Sequence, residues 1–155
     1  MPLVMDGERI PDDKGYNAMI IKAAQKYGVP PGMALRQADQ ESRHFDPAVI
    51  SGKVKSSAGA SGLFQFMPIT ARNLGIDPTK PEAATDAAMA YMARLYKKFG
   101  DWKKAVWAYN WGEGNVAKYL KGEKKALPLE TRMYGLIVVD GYTATQASKT
   151  GAGVL

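Results

Sequence analysis

Apolar positions recur at helical spacing through most of this chain. Met19, Ile20, Ala23, Ala24 and Tyr27 lie three and four residues apart, and Gly28 follows as a stop, which predicts a helix ending near residue 27. Pro30-Pro31 opens a second helix with Met33, Ala34, Leu35 and Ala38 as its apolar positions, since proline is tolerated in a first turn. Glu41 falls at or near its C-terminal end. The most regular stretch is Ala84, Ala87, Ala88, Tyr91, Met92, Leu95, Tyr96 and Phe99, ended by Gly100. Asp101 suits the N-cap of a helix over Trp102 to Trp111, closed by Gly112 and Gly114. Shorter helices are predicted after Pro68 through Asn73, stopped by Gly75 and Pro78, from about Asn115 to Leu120, and from Glu130 to about Asp140.

Between these elements, Phe45 to Ser61 is dense in Pro, Ser, Gly and Lys and reads as a long loop with a short extended piece at Val49-Ile50. Residues 1–13 contain Pro2, Gly7 and Pro11 with little periodicity and read as an N-terminal arm. Residues 14–140 form the body, and residues 141–155, rich in Gly, Thr, Ser and Ala, read as a flexible tail or linker. No internal repeat is visible. The class is therefore all-α, and 155 residues with 46% apolar content can supply one sizeable core.

Composition narrows the chemistry. The chain has no cysteine and one histidine, His44, so neither a thiol nucleophile nor a thiolate or imidazole metal cluster is available, and no cofactor or metal is expected. No apolar run reaches the roughly 18 to 20 residues of a transmembrane span, and the start, Met1-Pro2-Leu3-Val4-Met5-Asp6, lacks the basic-then-apolar order of a secretory signal. The net charge of +6 is uneven: Arg94 to Arg132 holds ten Lys/Arg against four Asp/Glu, and the remainder balances at eleven against eleven. A basic surface suits an anionic polymer such as nucleic acid, cell-wall glycan bearing acidic peptides, or a membrane surface; a solvated helix face is the plainer alternative.

Three segments place polar groups beside apolar or aromatic ones, the combination that a saccharide-cleaving groove needs. Glu41 at a helix end faces the negative pole of the macrodipole, and apolar neighbours such as Phe45, Phe64 and Phe66 would also disfavour its ionised form. That prepares a general acid. The only nearby second carboxylates are Asp39, which at two residues' distance on a helix points elsewhere, and Asp46, which precedes Pro47 and suits a turn. The run Gly62 to Pro68 reads as a buried turn, except that Gln65 needs polar partners that a substrate groove could provide. Tyr109-Asn110-Trp111 reads either as core plus C-cap or as a sugar contact of ring face and amide. His44, beside Arg43 in a loop, reads as an exposed polar residue.

At these residues the chain resembles the lysozyme-like catalytic domain of the soluble lytic transglycosylase family. The family patterns Glu-Ser, Gly-Leu-Met-Gln-x-Met-Pro, Ala-Tyr-Asn-x-Gly and Glu-Thr-x-x-Tyr stand here as Glu41-Ser42, Gly62-Leu63-Phe64-Gln65-Phe66-Met67-Pro68, Ala108-Tyr109-Asn110-Trp111-Gly112 and Glu130-Thr131-Arg132-Met133-Tyr134. They occur in the family's order and cover about residues 15 to 140. The departures are a longer stretch from Glu41 to Gln65, one additional residue in Arg43-His44-Phe45-Asp46-Pro47, Phe64 for a common Met, and Trp111 for a common Ala.

The resemblance implies a peptidoglycan lytic transglycosylase that cleaves the N-acetylmuramic acid to N-acetylglucosamine β-1,4 bond and leaves 1,6-anhydromuramoyl ends. Glu41 would be the single acid and base, and the substrate's own C6 hydroxyl would replace a second carboxylate. By motif position, Ser56, Gln65, Met67, Tyr91, Tyr109, Asn110, Glu130 and Tyr134 would bind or brace the substrate. The partner implied is a peptidoglycan strand, with the basic 94–132 segment as a contact to anionic polymer and no specific nucleic acid. Action in the periplasm or cell wall is implied, and the Asn110-Trp111-Gly112-Glu113-Gly114 variant resembles murein-cleaving domains of phage virions. The rivals are a hydrolytic muramidase or endolysin and a non-catalytic glycan-binding domain of the same fold.

Overall fold

Glycine, proline and short capping side chains set the helix ends of this chain, and the observed elements obey them. The computed structural model describes residues 3–5, 8–10 and 15–154, with side-chain packing for residues 15–149. Among the described residues the helices are α1 (Tyr16–Tyr27), α2 (Pro31–Glu41), α3 (Pro47–Ile50), α4 (Pro68–Leu74), α5 (Pro81–Phe99), α6 (Trp102–Trp111), α7 (Glu113–Leu120), α8 (Leu129–Val138) and α9 (Ala144–Val154). Proline is the first residue of α2, α3, α4 and α5, where its missing N–H would have lacked a helical partner anyway. Gly28 and Gly75 close α1 and α4 in the left-handed conformation. The all-α expectation holds.

Three segments carry elements that the hydrophobic pattern did not predict. Within the expected N-terminal arm, β1 (Leu3–Met5) pairs antiparallel with β2 (Glu8–Ile10), Met5 facing Glu8. The extended piece expected at Val49-Ile50 is instead α3, because Asp46 accepts a hydrogen bond from the Ala48 N–H at 2.9 Å and Pro47 presets the first turn. The expected loose tail is α9, started by a capping box in which Thr143 Oγ1 accepts from the Gln146 N–H and Gln146 Oε1 accepts from the Thr143 N–H. Ala147 of α9 is fully buried.

The chain divides into two compact units, Met1–Tyr91 and Met92–Leu155, and α5 runs through the division. In the first, α1 packs on α2, and Ile20, Ala24, Met33, Ala34, Leu35 and Ala38 are buried as the apolar period requires. Leu63 and Phe64 are fully buried in the same unit, each contributing about 2 kcal/mol through the water it leaves.

In the second unit, α6 packs on α7 and α8, and α8 on α9. Gly135 makes the α6 and α8 approach possible: a Cβ there would lie 2.6 Å from Nε1 of Trp107. Asp101 caps α6, accepting from the Lys104 N–H at 2.9 Å. Gly114, expected to close α6 along with Gly112, lies inside the first turn of α7. The physical reason is that Gly112 alone makes the bend, with φ of 104°, and Asn115 Nδ2 donates back to the Trp111 carbonyl at 2.7 Å.

Glu113 at the start of α7 is held by Arg94 at 3.0 Å and Lys98 at 2.8 Å. Hydrogen bonds from Arg94 and then Lys98 bring its carboxyl from the ordinary 4.5 to about 2. A depressed folded-state pKa means that this clamp stabilises the fold above the ordinary carboxylate range and is lost as the pH falls through about 2. Both cations are half exposed, so solvent screening limits the contribution to about 1 kcal/mol or less. Glu113→Gln is therefore expected to lower stability slightly at neutral pH and to match the unmodified protein in strong acid. Urea unfolding across that range measures it, and a difference independent of pH would overturn the clamp.

Candidate active site

Glu41 is the last residue of α2 and is half-buried. The backbone just beyond it is unusual: Arg43, His44 and Phe45 have φ of 53°, 60° and 60°, three consecutive left-handed residues without a glycine. Such a stretch costs about 3–6 kcal/mol at one to two per residue. Three hydrogen bonds oppose that cost. The His44 N–H donates to the Asp39 carbonyl at 2.8 Å, the Phe45 N–H to Ser42 Oγ at 2.8 Å, and the Asp46 N–H to the Ser42 carbonyl at 3.0 Å. At about 1 kcal/mol each, with about 2–3 kcal/mol from burying Phe45 against Tyr16, they offset the strain. The additional residue seen after Glu41-Ser42 is housed in this turn.

The two carboxylates nearest Glu41 in sequence are engaged elsewhere. Asp39 is buried, and both of its oxygens lie 3.0 Å from Nδ1 of His44, whose side chain is 73% exposed. Asp46 caps α3.

Ser56 is half-buried at the start of a tight loop, where its Oγ accepts from the Ala60 N–H at 2.9 Å and its own N–H donates to the Ala60 carbonyl at 3.0 Å. The hydroxyl proton is left for another acceptor. The loop leads into the Gly62 to Pro68 string, where the residues divide by burial. Leu63, Phe64 and Phe66 are buried, whereas Gln65 is half-buried and Met67 is 39% exposed. A bridge between Ser61 and Phe66 closes the turn, with Gln65 left-handed at its tip. Gln65 Nε2 donates to the Gly62 carbonyl at 2.9 Å, which leaves its Oε1 as the unused acceptor. Gly62 permits the turn, since a Cβ there would lie 1.7 Å from the Pro78 carbonyl oxygen.

Glu41, Ser56, Gln65 and Met67 belong to the first unit and half-buried Tyr91 ends it; Tyr109, Asn110, Glu130 and Tyr134 belong to the second. In that unit Asn110 Oδ1 accepts a 2.8 Å hydrogen bond from Oγ1 of buried Thr131, which ties the end of α6 to the first turn of α8. Asn110 keeps its Nδ2 donors. Exposed Glu130 precedes Thr131, and buried Tyr134 lies one helical turn further on the Glu130 face. Sequence reasoning assigned no role to Ser42 or Thr131. Their only signal was membership of the Glu-Ser and Glu-Thr-x-x-Tyr strings.

A cleft of about 750 Å³ between α1 and the start of α5 contains none of these residues. Its wall is a structural ion pair: Lys26 Nζ and the Tyr27 hydroxyl both reach Asp86 at 3.0 Å. The hydrogen bond to Asp86 raises the Lys26 pKa above its ordinary value. Among the described residues, no group of three or more His, Cys, Asp or Glu could hold a metal, and no helix is long and apolar enough to cross a membrane.

Compared with known families, residues 18–130 match the model of the transglycosylase SLT domain. The chain belongs to that family. Among curated relatives, the membrane-bound lytic murein transglycosylase D of Escherichia coli is 40% identical over 108 residues, 58% of this chain and 23% of that protein. The peptidoglycan transglycosylase gp16 of Escherichia phage T7 is 35% identical over 141 residues, 82% of this chain and 10% of that protein. The chain thus spans about a quarter or less of the length of these relatives. The 70 kDa soluble lytic transglycosylase of Escherichia coli superposes with a TM-score of 0.62 at 25% identity, over 92% of this chain and 24% of that one. The lytic transglycosylase Slt of Pseudomonas aeruginosa gives 0.58 at 24% identity, over 94% of this chain and 24% of its own. The fold is the lysozyme-like one of these enzymes.

Two substitutions test how the site is built. Ser42→Ala would leave the Phe45 N–H without its acceptor in a buried turn, an expected loss of about 1–3 kcal/mol in urea unfolding. Stability unchanged within error would show that the hydroxyl does not hold the turn. Gly62→Ala should cost about 3 kcal/mol or more, because left-handed backbone and collision with a main-chain oxygen act together. A melting temperature close to that of the unmodified protein would contradict this close approach.

Proposed function

We propose that the chain is the catalytic domain of a peptidoglycan lytic transglycosylase with Glu41 as its only acid and base. Glu41 donates its proton to the glycosidic oxygen as the bond from C1 of N-acetylmuramic acid breaks, so the N-acetylglucosamine end leaves as an alcohol. The carboxylate then takes the proton of the muramoyl C6 hydroxyl while that oxygen bonds to C1. The product is a 1,6-anhydro ring, and no water is consumed. The observation that carries this reading is the engagement of both neighbouring carboxylates, Asp39 with His44 and Asp46 with the α3 N-terminus, beside an acid at a helix end. A hydrolase would need one of them free to activate water.

In this reading Gln65 and Met67 line the saccharide groove, with Ser56 directing its hydroxyl to the substrate. Tyr91, Tyr109, Asn110, Glu130 and Tyr134 bind or brace the strand. The domain acts in the periplasm or cell wall, and delivery as part of a phage virion, for local opening of the wall, is supported by the likeness to gp16 across 82% of the chain.

Mass spectrometry of muropeptides released from purified peptidoglycan tests the chemistry. The unmodified protein should yield anhydromuropeptides, and Glu41→Gln should lower the rate by at least about a hundredfold while retaining the fold. Reducing ends in the product would instead establish a hydrolase, and near-normal release by Glu41→Gln would remove Glu41 from the chemistry.

A further inference from the structure

The ten Lys/Arg between Arg94 and Arg132 are not equivalent once folded. Arg94 and Lys98 are taken up by Glu113, and Lys103 by Asp140. Lys118, Lys121, Lys124 and Lys125, from the last turn of α7 into the loop beyond it, have no ion-pair partner among the described residues. Glu123 is the one acid in that stretch of sequence. Lys118, Lys121 and Lys125 are exposed, and Lys124 sits with its Nζ 5.7 Å from the centre of the Trp111 ring. Trp111 in turn meets Tyr119 edge-on at 6.3 Å, and Tyr119 meets Trp107 edge-on at 6.3 Å. The aromatic contacts thus tie the lysine-bearing end of α7 to the end of α6, one residue beyond Tyr109-Asn110.

We propose that Trp111 and the lysines 118, 121, 124 and 125 form a docking surface for the carboxylate-bearing peptide stems of peptidoglycan. This rests on the transglycosylase reading and deepens it by naming what holds the polymer beside the cleaved strand. The charge is complementary: a cluster of ammonium groups with one competing acid meets free carboxylates, and Trp111 supplies an apolar face for the aliphatic parts of a stem. Peptide stems fit better than nucleic acid because Trp111 directly succeeds Tyr109-Asn110, the residues assigned to the glycan, and the four lysines lie at the end of α7 and in the loop beyond it rather than along the length of one helix.

The test is surface plasmon resonance on the full chain carrying Glu41→Gln, which keeps the polymer intact. The analytes are soluble glycan strands with their peptide stems and the same strands stripped by an amidase. Stemmed strands should bind more tightly, and adding Lys118→Ala, Lys121→Ala and Lys125→Ala should weaken them by about tenfold, less so in high salt, without affecting stripped strands. An equal effect on both strands, or none, overturns the docking surface. If that happens while the unmodified protein still releases anhydromuropeptides, the transglycosylase reading stands alone. If the unmodified protein neither binds nor cleaves either strand, both fall. Tighter binding to duplex DNA than to stemmed strands, lost in the triple variant, would overturn the peptide assignment in favour of nucleic acid.

Discussion

The hydroxyl of Ser42 is the interaction on which the region around Glu41 depends. It donates to the Ala38 carbonyl at 2.6 Å and accepts from the Phe45 N–H at 2.8 Å, so one buried oxygen both ends α2 and holds the chain in a left-handed turn. Phe45 is carried by that turn onto Tyr16, and Asp46 into position to cap α3. Without that oxygen, the backbone would lose one of the three hydrogen bonds that hold it in a conformation that side chains with a Cβ avoid. Glu41 therefore stands between a regular helix and a strained turn, each fixed by the residue beside it.

Much of this architecture was legible because helix ends carry local signals. The closing glycines of α1 and α4, the leading proline of α2, and Asp101 before α6 each act within one turn, and each was read correctly from sequence. Helix α3 was missed because four residues are too few to show a period, although Asp46-Pro47 is a good start signal. Helix α9 was missed for a different reason: its Gly, Ser and Thr content outweighed a capping box at Thr143 and Gln146. In the candidate site, the helix-end position of Glu41 could be read directly. The left-handed residues after it could not, since Arg and Phe carry no preference for that backbone. Nor could the Asn110 to Thr131 hydrogen bond, which links residues 21 apart in sequence.

Charge shows the same division between composition and placement. The sequence locates an excess of cations on one segment, but only the folded chain separates those that brace helices from those left to solvent. Arg94 and Lys98 serve the join between α5 and α7, and Lys103 that between α6 and the end of α8. Their contribution is to architecture, whereas lysines beyond Leu120 contribute a field that extends about a Debye length, ~8 Å at physiological salt. A count of net charge merges these two physical roles.

In the string from Gly62 to Pro68, Leu63, Phe64 and Phe66 are committed to the interior while Gln65 and Met67 are not. Stability and surface chemistry are thus assigned to separate letters of one short word. Drift at the inward letters is penalised by unfolding whatever the ligand, whereas drift at Met67 changes a partly exposed thioether at little cost to the core. Descendants of this chain can therefore vary what that turn presents without rebuilding the turn itself.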